Sequence, residues 1–390
     1  MPTELEAVAS DSSALLVSLL GMNRQMLADW LRSQGEKPFR AQQLMQWVHQ
    51  RGIIDYEQMT DLSKVLRAKL SQLAPVRLPE VKVDQVASDG TRKWLLEVDG
   101  HNAIEMVFIP ESNRGTLCIS SQVGCALACT FCMTAKQGFN RNLSSDEIIG
   151  QMWLAQHLLR QAGWGDNPIT NVVFMGMGEP LLNVNQVFPA AEILMDDWGY
   201  GLSKRRVTIS TSGIVPAMDM MTDRLDISLA VSLHAANNRL RDVLVPVNQK
   251  YPLAELMGAC RRYLQRYPKR HVLFEYVMLD GVNDSISHAR EVITLLQGIS
   301  AKVNLIPFNP FPDTDYQTSP FERVLAFQQR LMKAGLQTNI RKTRGEDIDA
   351  ACGQLAGDVS DRTKRKASYQ QTIQFKRQDN QHREHGHESS

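Results

Sequence analysis

The chain has 390 residues and a formal net charge of +1, with 43 Lys and Arg residues against 42 Asp and Glu residues. This balance excludes nucleic-acid binding through overall charge, so any such binding must rest on local basic patches. No apolar run reaches the length of a membrane span, and no basic region precedes the short apolar segment near the N-terminus, which argues against membrane insertion and secretion. We therefore expect a cytoplasmic protein whose reduced cysteines bind metal or do chemistry.

The N-terminal part of the chain is predicted to be helical. Residues 1–20 form a lead-in, and residues 21–75 form a small helical domain, because apolar residues recur there at spacings of three and four. Residues 76–114 change to the alternating pattern of strands, with Asp-Gly turns at positions 89–90 and 99–100. We expect this segment to form an antiparallel β extension that leads into the rest of the chain.

Strands and helices alternate over residues 115–360. Each strand candidate is followed by an amphipathic helical pattern, which predicts an α/β fold with a parallel sheet curled into a partial (βα)6 barrel. Residues 361–390 are rich in Lys, Arg, Gln and Ser and poor in apolar residues, so we predict a mostly disordered basic tail. The six strand candidates are TLCISS, NVVFMGMG, RVTISTSG, ISLAVSLH, HVLFEYVML and KVNLIPFNP.

Three cysteines, Cys125, Cys129 and Cys132, follow the first barrel strand at the spacing C-x3-C-x2-C. Structural zinc takes four ligands, usually as two separated pairs, whereas this chain has no second C-x-x-C. A four-iron cluster held by three thiolates keeps one iron open for a ligand that chelates through amino and carboxylate groups. The motif resembles that of the radical S-adenosylmethionine (SAM) superfamily, which implies a [4Fe-4S] cluster and SAM. A zinc site with a distant fourth ligand is the alternative.

Small and polar residues stand at the carboxyl ends of the predicted strands, where parallel barrels place their sites. A glycine lets the backbone approach a ligand, a glutamate can accept from an ammonium group, and an asparagine amide can bind an adenine edge. Each such residue alone is more often a turn former or a structural hydrogen-bonder, but behind the cysteine motif the set indicates a SAM site. The set comprises Gly178, Glu179, Ser210, Ser232, Leu233, His234 and Asn309.

Seven segments occur in a family-like order and spacing, within a match that runs from about Met22 to Asp361. They are CISSQVGCALACTFC, FMGMGEPLLN, ISTSG, SLHAANN, EYVMLDGVNDS, PFNPF and IRKTRGEDIDAACGQL. Together they resemble the family of dual-specificity RNA methyltransferases that methylate carbon 2 of adenine. The resemblance implies two substrates, 23S ribosomal RNA at the peptidyl transferase centre and transfer RNA next to the anticodon. An antibiotic-resistance relative that methylates carbon 8 shares the cluster and both reactive cysteines, and is the alternative.

The resemblance also implies a mechanism with two SAM molecules per turnover. One SAM methylates Cys352, and the other is cleaved to methionine and a 5′-deoxyadenosyl radical, which takes hydrogen from the methylated cysteine. The resulting carbon radical adds to the base, because carbon 2 is too poor a nucleophile to displace the methyl group of SAM directly. Glu105 accepts a proton, and Cys118 attacks the sulfur of Cys352 to release the product and leave a disulfide. A low-potential electron donor such as flavodoxin and a thiol reductant are then required.

Other roles remain open from the sequence. Cys260 lies at an apolar helical position, which predicts a core residue. The basic run from Arg261 to Arg270 fits a solvated helix face as well as a phosphate contact. A radical SAM enzyme of another chemistry would not need Cys118 and Cys352, and a non-catalytic RNA-binding protein would hold zinc and no SAM. We expect the helical domain to help dock RNA through Arg24, Arg32, Lys37, Arg40, Arg51, Lys64, Arg67 and Lys69.

Overall fold

The computed structural model describes residues 18–312 and 314–363. Most of the predicted lead-in, residues 1–17, and most of the predicted tail, residues 364–390, lie outside the described residues. Within the described part of the chain, none of the helices is both long and apolar enough to cross a lipid bilayer.

The N-terminal part is helical, as its apolar spacing predicts. The Asn23 side chain accepts from the Met26 N–H at the start of the first helix, and the Ser63 side chain accepts from the Leu66 N–H at the start of the third. In chain order the elements are α1 (Arg24–Ser33), α2 (Arg40–Met45), a π-helical turn (Gln46–Gln50), a 3-10 turn (Tyr56–Gln58) and α3 (Lys64–Leu73).

Ten strands form one mixed sheet, and a further two form a small antiparallel pair. The strands are β1 (Glu80–Val86), β2 (Arg92–Glu97), β3 (Ala103–Glu111), β4 (Arg114–Cys118), β5 (Gln122–Gly124), β6 (Phe139–Asn142), β7 (Asn171–Phe174), β8 (Val207–Thr211), β9 (Ser228–Ser232), β10 (Val272–Met278), β11 (Ala301–Pro307) and β12 (Gln337–Ile340). The helices that follow α3 are α4 (Met133–Lys136), α5 (Ser145–Gln161), α6 (Val184–Met195), α7 (Val215–Arg224), α8 (Asn238–Leu244), α9 (Leu253–Arg266), α10 (Ile286–Leu295) and α11 (Phe321–Lys333).

The order of strands in the large sheet is β1-β2-β3-β4-β7-β8-β9-β10-β11-β12. Pairing is antiparallel from β1 to β4 and parallel from β4 onward, so that the predicted β extension continues directly into the barrel sheet. The six predicted barrel strands are present as β4 and β7 to β11. A further parallel strand, β12, pairs with β11 and was not predicted. The remaining pair, β5 and β6, brackets the cysteine motif.

The helical part shares its core with the barrel. Leu31 and Leu70 belong to the same buried cluster as the barrel strands. The Trp153 indole N–H of α5 donates to the Val48 carbonyl at 2.9 Å, and the Asn23 amide donates to the Glu192 carboxylate of α6 at 2.5 Å. The two parts are therefore one packed body rather than separate units on a linker.

Helix α9 and the residues that follow it bear on two sequence expectations. Cys260 is fully buried in it, as predicted for a core residue. Of the basic run that begins at Arg261, Arg262 pairs with Asp219 at 2.8 Å and Arg270 pairs with Asp226 at 2.7 Å. These two arginines therefore hold the barrel's own carboxylates.

Acid should weaken the packing of His49. This residue is 3% exposed, its Nδ1 has no hydrogen-bond partner among the described residues, and its ring centroid lies 5.2 Å from that of Tyr200. Burial lowers the pKa of His49 from 6.5 to about 3. Between these values the unfolded chain binds a proton that the folded chain does not. The contribution of His49 to the free energy of unfolding should therefore fall by about 1.4 kcal/mol per pH unit below 6.5.

Urea unfolding between about pH 7 and pH 5 measures this effect. We expect His49→Leu to remove part of the pH dependence. Of the rest, His234 contributes in the same direction, because burial lowers its pKa to about 3, and Glu179 contributes in the opposite direction, because burial raises its pKa to about 7. The exposed His101 is the matched control, and His101→Leu should leave the slope unchanged. Equal slopes in the parent and His49→Leu would contradict this account.

Candidate active site

A cavity that is partly open to solvent lies at the carboxyl ends of β7 to β11. Its position follows from the parallel sheet, because consecutive strands end on the same edge. Leu233 and Asn309 of the predicted set do not line it. The predicted residues that do are Cys125, Cys129, Cys132, Gly178, Glu179, Ser210, Ser232, His234 and Cys352.

The three motif cysteines lie between β5 and α4 and face this cavity. Burial, followed by the charges of Cys129 and Cys132, raises the pKa of Cys125 well above its usual value. Such mutual repulsion between close thiolates is relieved when they bind metal. No three His, Cys, Asp or Glu side chains of the described chain are arranged to hold a single ion. In a cubane each of three thiolates binds its own iron, and three cysteines that face one cavity fit that arrangement.

Glu179 is a buried carboxylate at the cavity wall. Its oxygens accept from the Leu181 N–H at 3.1 Å and the Ser212 N–H at 2.8 Å. Burial nevertheless raises its pKa to about 7, against the opposing effect of these hydrogen bonds. The preceding Gly178 has φ of +101°, and a Cβ there would lie 2.5 Å from that of Gln122, so only glycine fits. The arrangement fixes the carboxylate where a cationic ligand would stabilise it.

His234 and Leu233 contribute mainly through structure. The His234 Nδ1 accepts from the Val277 N–H at 3.0 Å, and its ring contacts that of Phe131 at a centroid distance of 4.5 Å. Leu233 is fully buried behind the cavity wall, and its carbonyl accepts from Arg241 at 3.0 Å. The backbone of β10 therefore occupies the Nδ1 of His234 and fixes its ring beside Phe131.

Arg241 organises the ends of two strands and was not predicted from the sequence. It is fully buried and donates to the Ser212 carbonyl at 2.7 Å and the Ser232 carbonyl at 3.0 Å, at the ends of β8 and β9. Burial lowers its pKa to about 10. The sequence shows two arginines in this short helix, Arg239 and Arg241, and does not distinguish the buried one from the surface one.

The C-terminal loop, residues 341–363, carries Cys352 to the cavity. The Met133 N–H donates to the Gly353 carbonyl at 2.9 Å, and the Thr134 hydroxyl donates to the Leu355 carbonyl at 2.7 Å. Cys352 is exposed at the mouth of the cavity. Asn309 does not face the cavity; it donates to the Cys352 carbonyl at 3.4 Å and therefore supports the loop.

Cys118 and Glu105 lie behind this loop. Burial, followed by the charge of Cys352, raises the pKa of Cys118 to about 12. Glu105 is 6% exposed, pairs with Lys93 at 3.0 Å and accepts from the Ala356 N–H at 2.7 Å. Glu105 is therefore not on a solvated face, as its strand pattern alone suggested, but is bound to the loop that carries Cys352.

Two further residues adjoin the thiols and were missed by sequence reasoning, Arg341 and Glu275. Both line the cavity. Arg341 Nη1 donates to the Cys352 sulfur at 3.4 Å. Glu275 lies in the middle of β10, inside an apolar run. This pattern predicts a buried strand, but it does not indicate that the carboxylate of Glu275 faces the site.

Comparison with known proteins agrees with this geometry. The family model described as "Ribosomal RNA large subunit methyltransferase N-terminal domain" matches residues 17–76, and the model of the radical SAM superfamily matches residues 119–293. The chain is similar to the dual-specificity RNA methyltransferase RlmN of Marinobacter nauticus, with 55% identity over 90% of this chain and 96% of the relative. It is also similar to the crystal structure of a radical SAM methyltransferase from Sphaerobacter thermophilus, with 40% identity and a TM-score of 0.81 over 87% of this chain and 99% of that chain.

These matches cover both the helical part and the barrel, and the similarity to the RNA methyltransferase extends over 354 residues. Membership implies a [4Fe-4S] cluster and SAM as cofactors. The chain belongs to the RlmN family of radical SAM methyltransferases.

Proposed function

We propose that this protein methylates carbon 2 of adenine in 23S ribosomal RNA and transfer RNA, and that it does so in the cytoplasm. The observation that carries the proposal is the pair of thiols outside the cluster motif, Cys352 at the mouth of the cavity and Cys118 at the end of β4, next to the strand β7 whose end lines the cavity. The relative at 55% identity is a dual-specificity RNA methyltransferase, so the carbon 8 alternative is not favoured.

The cavity residues would hold the cofactors. Cys125, Cys129 and Cys132 would bind the cluster, and Glu179 would accept from the amino group of SAM. Gly178, Ser210, Ser232 and His234 would surround the rest of SAM, whereas Leu233, expected beside them, lies behind the cavity wall, and Asn309, expected at the adenine, supports the Cys352 loop instead. When bound, the cluster and SAM supply the methyl group and the radical chemistry that an electron-poor carbon requires.

The remaining residues would handle the transferred group. The Cys352 sulfur accepts a methyl group and later carries it to the base, and Glu105 accepts the proton released from carbon 2. Cys118 then attacks the Cys352 sulfur, so that the bond between that sulfur and the product breaks and a disulfide forms. Each turnover oxidises the two thiols, so an external thiol must reduce them, and a low-potential donor such as flavodoxin must supply the electron that starts the radical step.

The cluster assignment predicts a specific loss of iron. Anaerobically purified parent protein should be brown with about four irons per chain, and Cys129→Ala should lose most of that iron and colour. Cys260→Ala is the matched control, because Cys260 is a buried cysteine of α9 away from the cavity. Full iron content in Cys129→Ala, or a colourless parent that holds zinc, would contradict the assignment.

The two thiols predict different failures. Cys352→Ala should lose all RNA methylation, because no sulfur remains to carry the methyl group. Cys118→Ala should accumulate protein crosslinked to RNA, visible on a denaturing gel, because no thiol releases the adduct.

With SAM whose methyl group is trideuterated, nucleoside mass spectrometry should show a product that has lost a single deuterium. Retention of every deuterium would mean direct displacement, and a methyl group on carbon 8 would move the assignment to the resistance relative.

We further propose that the helical part docks RNA. Several of its basic residues are already paired within the protein, as Arg24 is with Asp196 at 2.7 Å. Lys37 and Lys64 are exposed and therefore accessible to phosphates. Because the helical part shares its core with the barrel, charge variants test docking better than deletion.

Neutralising these lysines should weaken RNA binding and its dependence on salt. Each phosphate that a lysine no longer neutralises should lower the slope of log affinity against log salt by about one. We expect Lys37→Gln with Lys64→Gln to show this in RNA titrations, while SAM binding is unchanged. Lys333→Gln on α11 is the control. An unchanged RNA affinity in the lysine double variant would refute the docking role.

A further inference from the structure

Arg341 stands where the C-terminal loop leaves β12. Its backbone N–H donates to the Leu305 carbonyl at 2.8 Å, which fixes the root of its side chain against β11. Its Nη1 donates to the Cys352 sulfur at 3.4 Å and lies 3.9 Å from Glu275 Oε2. A single guanidinium nitrogen is therefore placed between a thiol sulfur and a carboxylate.

Glu275 is short of a hydrogen bond. It is 4% exposed, and its Oε1 accepts from the Asn304 amide at 3.1 Å, but its Oε2 has no hydrogen-bond partner among the described residues. Burying a carboxylate oxygen without a hydrogen-bond donor costs free energy, so a hydrogen bond from a nearby donor to this oxygen would be favourable. A shift of about 1 Å would bring Arg341 Nη1 into hydrogen-bond range of that oxygen.

The same guanidinium acts on both reactive thiols. Burial and the charge of Cys352 raise the pKa of Cys118, and the charge of Arg341 opposes that rise. The pKa of Arg341 is itself raised, first by Cys352 and then by Glu275. Arg341 is thus coupled electrostatically to the two thiols and to the buried carboxylate.

We propose that Arg341 is a positioning residue that holds the unmodified Cys352 sulfur beside Cys118, and that it transfers to Glu275 when Cys352 carries a methyl group. This inference deepens the proposed function and rests on it for the methylated state. Neither Arg341 nor Glu275 needs to touch the reacting carbon for this role.

The reason is the difference in the sulfur before and after methylation. On methylation the sulfur loses its proton to solvent and gains a bond to the methyl carbon, whose bond to the sulfonium sulfur breaks. A thiolate is a strong, charged acceptor, whereas a thioether is a weak neutral one. The Glu275 carboxylate then becomes the better acceptor for Arg341. The Cys352 sulfur thereby loses its hydrogen bond to Arg341 and is free to move while the methyl group is transferred.

The first test measures the reactivity of Cys352 in the full cluster-loaded chain, anaerobically and without SAM or RNA. Iodoacetamide labelling of the Cys352 peptide is followed by mass spectrometry at one pH near neutrality. Arg341→Gln should slow labelling about tenfold, as expected for the loss of one hydrogen bond from a charged donor. Arg341→Lys should recover part of the rate. Arg344→Gln is the matched control, because Arg344 lies on the same loop and pairs with Asp89 instead.

The second test measures the transfer to Glu275. Melting temperatures of Arg341→Gln, Glu275→Gln and their combination form a double-mutant cycle. Repeating the cycle in a Cys352→Ala background removes the sulfur acceptor, so the coupling between Arg341 and Glu275 should increase there. Equal coupling in both backgrounds, or labelling unaffected by Arg341→Gln while only RNA affinity falls, would overturn the proposal.

The two proposals can fail separately. Incubation with SAM should add the mass of a methyl group to the Cys352 peptide, which tests the proposed function alone. If no methyl group appears but Arg341→Gln still slows labelling, the proposed function is wrong and the positioning role of Arg341 is supported. If the methyl group appears and Cys352 of Arg341→Gln is labelled at the parent rate, the positioning role of Arg341 is wrong and the proposed function is supported.

Discussion

The site depends on backbone hydrogen bonds that hold the C-terminal loop across the mouth of the cavity. On one side the Ala103 N–H of β3 donates to the Asp358 carbonyl at 2.7 Å, and on the other the Met133 N–H of α4 donates to the Gly353 carbonyl at 2.9 Å. No regular element carries Cys352, so these anchors set its position. The second anchor also couples the loop to the cluster motif, because Met133 directly follows Cys132. Any distortion of the cysteine loop is therefore transmitted to Cys352.

The cavity is built to favour cationic ligands. Burial raises the pKa of Glu179 to about 7 and that of Cys129 to about 12, so their anionic forms are disfavoured until positive charge lies beside them. The charge of Arg241 opposes the rise for Cys129, but its hydrogen bonds go to backbone carbonyls and to the Asn248 side chain rather than to either anion. Iron on the thiolates and the ammonium group of SAM on the carboxylate would supply the missing charge. Burial disfavours the anionic forms of Glu179 and Cys129 when no ligand is bound, and for the same reason it favours the binding of positively charged ligands.

The strand-helix alternation and the cavity residues were predictable for a shared physical reason. Barrel strands are buried on both faces and give apolar runs, and the residues that end them must meet on one edge of the sheet. The strand β12 was missed because its sequence, QTNI, is short and mostly polar, as suits a strand at the sheet edge. The contact of Arg341 with Glu275 was missed because it joins β10 to the end of β12 through sheet register, which no local pattern encodes.

The two reactive thiols are held in different ways, and the proposed reaction requires this. Cys118 ends β4 and is paired on both sides, with Val107 of β3 and Val173 of β7, so it cannot move without disturbing the sheet. A disulfide requires Cα atoms within about 7 Å, whereas a base attached to Cys352 must first fit between that sulfur and the cavity. One sulfur must therefore travel between two positions while the other stays. Only Cys352 can do so, because it is exposed and lies on an irregular loop. A hydrogen bond from Arg341 that breaks on methylation would allow the movement only after the methyl group has been accepted.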